Sequence, residues 1–351
     1  MSAISPSDIA PSERVSQASW QDVRRLLAGV IACAALFNLV AIWFLEHHSP
    51  NRAPRVVKAQ WRLLDAADRT TNWLILGDSS GLQGVVPKLL DERLGGRSVN
   101  LGTTRRMLAT NDAWMLNRFI ARHGPPQGVV LVHAYEVWHG EREWLIEAMP
   151  DIPLAWGFWN RLDPPLPLQP AEQVRVFLSR YVPLYADNQS LPRAFQYPWK
   201  VARYFFSVGI DETGYMPVKS ANPRQVEEDY RQHIEAVRGR RFHISEINRQ
   251  ALERIRALAE THGFDVYLAN SPLYQGLYDD PEFRAYFRQV QEALRAFAAT
   301  CPRIHYIAQE PSTFPKDQME NCDHVTAPAS REFTRRLAEE ILQLRAASAQ
   351  R

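Results

Sequence analysis

Apolar residues fall along this chain in three patterns, and each predicts a different kind of element. The first is one unbroken run, "LLAGVIACAALFNLVAIWFL" at residues 26–45, with no charge in it. That is about the length a helix needs to cross a bilayer. Arg24 and Arg25 precede the run, and Trp43 lies near its far end, where an interfacial aromatic belongs. The second pattern is a set of short strings: "WLIL" (73–76), "SVNL" (98–101), "GVVLV" (128–132), "DVYLA" (265–269) and "IHYIA" (304–308). Each is apolar nearly throughout, as strands buried on both faces of a parallel sheet are. The third pattern is apolar residues at helical spacing between those strings. "VPKLLDERLG" and "MLATNDAWMLNRFIARHG" both stop at glycine. "ISEINRQALERIRALAETHG" carries Ile247, Leu252, Ile255 and Leu258, and "PEFRAYFRQVQEALRAFAA" fills the next interval. The last helix, "PASREFTRRLAEEILQLRAA", sets Phe333, Leu337, Ile341 and Leu344 on one side.

Strand and helix alternate, so the pattern predicts an α/β domain with about five mostly parallel strands and helices on both faces. Residues 1–25 form a tail, 26–45 the membrane anchor, 46–71 a juxtamembrane segment, 72–345 the main domain and 346–351 a second tail. Residues 134–225 break the alternation. They are rich in Trp, Tyr and Pro, as in "WGFWNRLDPPLPLQP" and "RAFQYPWKVARYFF", and too long for a simple connection. Two roles fit such an insertion over the sheet: a lid or partner surface, or a subdomain whose aromatics make its own small core.

Composition narrows the choice. The 351 residues are 46% hydrophobic and 23% charged, ordinary for a globular chain, and the net charge of +2 gives no electrostatic footprint for nucleic acid. No ligand spacing suggests a metal, and no glycine loop suggests a nucleotide or other cofactor. No small-x-small cleavage site follows the apolar run, which favours an anchor kept in the mature protein. Arginines and lysines flank the run on both sides, so their count does not orient it. The short N-terminal tail places the main domain outside the cytoplasm. Cys301 and Cys322 are an even pair in that domain and are expected to form a disulfide closing a loop of about 20 residues, pinning the segment just before His324.

Candidate chemistry collects at one place. Ligands of open α/β sheets bind at the carboxyl ends of the strands. The first apolar string runs straight into Gly77-Asp78-Ser79, the second ends in "NLGTT" at residues 100–104, and His324 follows the last string, just before the last helix. A serine, a glycine turn and a histidine therefore project to one edge, as nucleophile, oxyanion donor and base must for acyl transfer.

The blocks "ILGDSS", "NLGTT" and "DHVTAPASREFTRRLAEEI", in this order, resemble the SGNH (GDSL-type) hydrolase superfamily over roughly residues 72–133 and 262–345. The resemblance implies a three-layer, flavodoxin-like fold. It implies Ser79 as nucleophile, His324 as base, the backbone N–H groups of Ser79 and Gly102 as oxyanion donors, and Asp78 as a structural cap. The family places an Asp three residues before the histidine. Here that position is Asn321, and Asp323 is adjacent to the base, so the third member is Asp323 or Asn321, with Asp317 further back. The family's Gly-x-Asn-Asp block is replaced by "HAYE", leaving His133 or Tyr135 to stand in for its Asn donor.

An anchored domain of this kind is similar in layout to periplasmic proteins of exopolysaccharide O-acetylation and of teichoic acid D-alanylation. That layout implies a place in the bacterial inner membrane, a multi-spanning O-acyltransferase as partner and a polysaccharide as acceptor. A carbohydrate or lipid esterase, and a catalytically degenerate scaffold, are the alternatives.

Overall fold

The computed structural model describes residues 20–48, 53–186, 196, 209–307 and 310–349. Seven strands occur among them: β1 (Trp73–Gly77), β2 (Ser98–Asn100), β3 (Gly128–His133), β4 (Asp265–Asn270), β5 (Leu273–Tyr274), β6 (Ile304–Tyr306) and β7 (Thr313–Phe314). Five of them form one sheet in the order β2-β1-β3-β4-β6, with every pairing parallel; β5 and β7 pair separately. The apolar strings have become these five strands because β1 and β3 are buried at every residue. Parallel order requires long crossovers, and the helical patterns supply them.

The helices fall into two packed sets. Leu108–His123 packs against Glu246–His262 and Ala53–Ala66, while Ala327–Ala349 packs on Pro87–Leu94 and Ser79–Gly84. Leu252, Ile255, Leu258, Phe333, Leu337 and Ile341 are buried, as their spacing predicts. The edge of β2 is covered by residues 213–216: Asn100 N–H donates to Thr213 O at 2.8 Å, and Gly214 abuts Asn100 O so closely that a Cβ there would lie 1.9 Å from it. A covered edge cannot pair with another chain.

The described part of the 134–225 segment does not build a core of its own. Phe158, Trp159, Leu166 and Leu168 join the one continuous core, and Trp114 reaches up from the helix Leu108–His123 to donate to Pro164 O at 2.7 Å. "RAFQYPWKVARYFF" lies outside the described residues except for Gln196. The helix Pro223–Val237 begins inside the segment and packs on Pro281–Ala298.

One N-terminal helix, Trp20–His48, contains a stretch, Trp20–Leu45, that is long and apolar enough to cross a membrane as an anchor or to serve as a signal sequence. The expected disulfide is absent. Cys301 and Cys322 are both buried and free; the Cys301 sulfur accepts from Arg303 N–H, and the Cys322 thiol donates to Val226 O, both at 3.4 Å. Each sulfur is held by a different neighbour, and an even count of cysteines carries no geometry.

Candidate active site

The turn after β1 is set by its neighbours. Gly77 has φ +135°, and a Cβ there would meet Val132 O at 1.8 Å, so only glycine lets β1 close on β3 at this point. Asp78 then caps the helix Ser79–Gly84: one carboxylate oxygen accepts from the Ser80 amide at 2.8 Å and from the Ser80 hydroxyl. Its other oxygen accepts from Ala134 N–H at 2.8 Å, which ties the ends of β1 and β3 together. Asp78 is thereby fully committed to structure, and Ser79 opens the helix with its side chain half-buried at the carboxyl edge.

His324 arrives from the far end of the chain. Met319 and Val325 bridge across a tight turn, and Glu320 N–H donates to His324 O at 2.8 Å. Within the turn Asn321 Oδ1 accepts from the amides of Asp323 (3.1 Å) and His324 (2.7 Å). Asn321 therefore shapes the backbone that aims the imidazole. The result is a hydrogen bond of 2.9 Å between His324 Nε2 and Ser79 Oγ, across 245 positions of sequence. On the other side of the ring, Nδ1 stands 3.7 Å from Asp323 Oδ1. That is beyond a hydrogen bond but well within charge–charge reach. Burial raises the Asp323 pKa, opposed by His324 and His233.

The donors expected for an oxyanion are only partly in place. Ser79 N–H is the first amide of its helix, where no intrahelical acceptor exists. Gly102 N–H is instead donated to Asn100 Oδ1 at 2.9 Å, a correction to its expected role. The same Asn100 side chain donates to Val85 O and Gly81 O, pinning the short helix beside Ser79. The stand-ins are engaged as well. Tyr135 OH shares a 2.7 Å hydrogen bond with His233 Nδ1, and His133 Nε2 lies 2.7 Å from Asp112 Oδ2.

Sequence reasoning missed two buried charge networks behind the edge. In the first, His133 sits between Asp112 and Asp78, whose Oδ2 is 3.8 Å from Nδ1; Asp112 also accepts from Gly77 N–H at 3.1 Å. Burial alone would lower the His133 pKa, but Asp112 and then Asp78 outweigh it and raise it to about 9. Burial likewise pushes Asp78 up, yet His133, Ser80 and Ala134 bring it down to about 2. In the second network Glu136 faces His233 at 3.4 Å and Arg105 at 2.6 Å. Those contacts outweigh its burial and hold its pKa at about 2, while burial of His233 is overcome by Glu136 and Asp323, which raise it. Asp112 and His233 lie inside helices, where an isolated polar residue carries no sequence signal separating it from the solvent face. No group of three or more His, Cys, Asp or Glu side chains suited to a metal occurs among the described residues.

Comparison of the chain with protein-family models and with curated proteins finds no match to either.

Proposed function

We propose that the protein is a membrane-anchored acyl-transfer enzyme of the SGNH type, with Ser79 as nucleophile and His324 as base. One observation carries this: the 2.9 Å contact of Ser79 Oγ with His324 Nε2 at the carboxyl edge of β1. The sheet order, read along its five strands as 2-1-3-4-5, is that of flavodoxin-like folds and supports a three-layer arrangement with the ligand at this edge.

In the first half-reaction His324 Nε2 takes the Ser79 hydroxyl proton as Oγ bonds to the acyl carbonyl carbon. The oxyanion so formed accepts from Ser79 N–H. It collapses as the bond to the leaving group breaks, and His324 returns the proton to that group. In the second half an acceptor hydroxyl gives its proton to His324 and bonds to the acyl carbon; as the bond to Ser79 Oγ breaks, His324 returns that proton to Oγ. Asp323, 3.7 Å from Nδ1, is the carboxyl group placed to stabilise the imidazolium formed at each step. We place the acceptor in a cell-surface or secreted polysaccharide and the acyl donor with a multi-spanning O-acyltransferase of the bacterial inner membrane, the domain lying in the periplasm. Water as acceptor makes the same site an esterase. Commitment of Gly102 N–H to Asn100 favours a second reading, a degenerate scaffold, because losing an oxyanion donor costs about 3–4 kcal/mol.

A fluorophosphonate probe separates these. Full-length protein in detergent is expected to form a covalent adduct at Ser79, abolished by Ser79→Ala and reduced by orders of magnitude in His324→Ala. A wild-type chain that never labels, or a Ser79→Ala chain that labels equally, overturns the enzyme reading.

A further inference from the structure

The segment that packs against the apolar N-terminal helix carries an apolar surface of its own. On the helix Pro170–Tyr181, Val174, Phe177 and Tyr181 follow one another at spacings of three and four and so share one face. All three point outward: Val174 is 58% exposed and Phe177 47%. Trp156 extends the face, with its ring 5.8 Å from Phe177 and 6.0 Å from Tyr181. Leu184 and Tyr185, the latter 73% exposed, continue it along the next short helix, Pro183–Ala186. A shallow groove of about 390 Å³ between Trp156 and the helix Pro170–Tyr181 is lined by Trp156, Pro170, Gln173, Val174 and Phe177. Arg180 lies over the Tyr181 ring at 5.4 Å, leaving a cation at the margin of an otherwise apolar face.

The position of this face says what covers it. Asn38, well inside the apolar run, donates its side-chain amide to Tyr181 O at 2.6 Å. Ala41 is buried, and the helix Pro183–Ala186 packs directly on the N-terminal helix. At a rise of about 1.5 Å per residue, Asn38 lies roughly 10 Å back from Leu45 along the helix axis. An apolar core is about 30 Å thick. A helix crossing it and ending near Leu45 therefore carries Tyr181 and its neighbours to the depth of the nearer leaflet. The Asn38 amide, expensive in hydrocarbon, is met there by a backbone oxygen. Tryptophan, tyrosine and arginine on the same face suit the boundary between acyl chains and headgroups.

We propose that the face formed by Trp156, Val174, Phe177, Tyr181, Leu184 and Tyr185 is embedded in the leaflet next to Leu45, so that the domain is seated on lipid by a second element besides its apolar helix. The proposal rests on the anchor reading of that helix, and it holds for either orientation of the domain.

Nitrobenzoxadiazole (NBD) labels on full-length protein in phosphatidylcholine–phosphatidylglycerol vesicles test it, with doxyl-labelled lipids as quenchers. Native Cys33, exposed on the apolar helix while Cys301 and Cys322 are buried, reports the anchor. Phe177→Cys and Tyr185→Cys report the face, and Glu292→Cys, on the helix beside β6, reports the aqueous surface, all three in a Cys33→Ser background. Blue-shifted emission that is largely lost to doxyl lipid at Cys33 and at both face positions, with none lost at Glu292→Cys, is the expected result. Quenching at Cys33 with emission at 177 and 185 like that at 292 overturns the embedded face and leaves the anchor standing. No quenching at Cys33 overturns the anchor and the proposal with it. A protein partner covering the face appears as a blue shift without lipid quenching, which also overturns the proposal.

Discussion

At the scale of single residues the two polar side chains that precede His324 have separable jobs. Asp323 faces the imidazole, whereas Asn321 holds only backbone amides. Asp323→Asn is therefore expected to slow probe adduct formation at Ser79 with the melting temperature nearly unchanged. Asn321→Ala removes an acceptor that takes two backbone hydrogen bonds in a turn, so it is expected to cost about 1–2 kcal/mol in stability and to lower the rate only as far as the loop loosens. Thermal melts and labelling rates on the same two variants check both statements; a rate loss confined to Asn321→Ala would reverse the assignment. Ser79 and His324 were legible because each follows an apolar string at a predictable edge. Gly102 was misjudged for a physical reason: the sequence places its amide correctly, but which acceptor takes the hydrogen depends on the rotamer of Asn100 two residues earlier.

At the scale of elements the buried set Asp78–His133–Asp112 joins the ends of β1 and β3 to the helix Leu108–His123. His133 is held charged, its pKa raised from 6.5 to about 9. A raised histidine pKa contributes stability that is fully present below the unfolded value near 6.5 and is lost as pH rises through about 9. The shift corresponds to about 3 kcal/mol. Asp78, depressed to about 2, acts at the other end: its contribution is present above the ordinary value of 3.8 and is lost as pH falls through about 2. Urea titrations of detergent-solubilised protein should thus show weakening between pH 6.5 and pH 9, flattened in His133→Gln. Asp112→Ala leaves a buried imidazolium with one partner fewer and is expected to cost about 3–5 kcal/mol; an unchanged urea midpoint would deny the network its role. The five strands were readable from apolar strings alone because both faces of this sheet are covered. The helix Ser79–Gly84 was not, since "SSGLQG" has no apolar period and forms through the Asp78 cap and the Asn100 side chain.

At the scale of the whole molecule one core runs through the domain and the described part of the segment from residue 134. An autonomous subdomain is therefore not what its aromatics build. Trp138 and Trp159 are buried with the rest, and Trp156 turns outward to the face beside the apolar helix. That division was invisible in sequence, where all three are tryptophans in an aromatic-rich stretch and only the path of the chain sorts them. Retention of residues 26–45 and a periplasmic domain make a further expectation. Protease added to intact spheroplasts should digest the domain, and protection would place it on the other side.

The final helix has a consequence for how the chain comes of age. Ala327–Ala349 docks on the two helices that follow β1, where Thr334 Oγ1 accepts from Val86 N–H at 3.0 Å and donates to the Ser330 carbonyl at 2.7 Å. That docking helps carry His324 to Ser79, with Met319 O accepting from Asn222 N–H and Cys322 O from Tyr274 N–H in the turn before it. During synthesis Ser79 leaves the ribosome 245 residues before His324, and under the proposed function the serine would lack its base throughout that interval. A chain ending at residue 317 would lack His324 together with the buried Phe333, Leu337 and Ile341 of the final helix, and it should stay inert to the fluorophosphonate probe. Under the proposed function, reactivity at Ser79 would thus mark a chain that has been completed and folded.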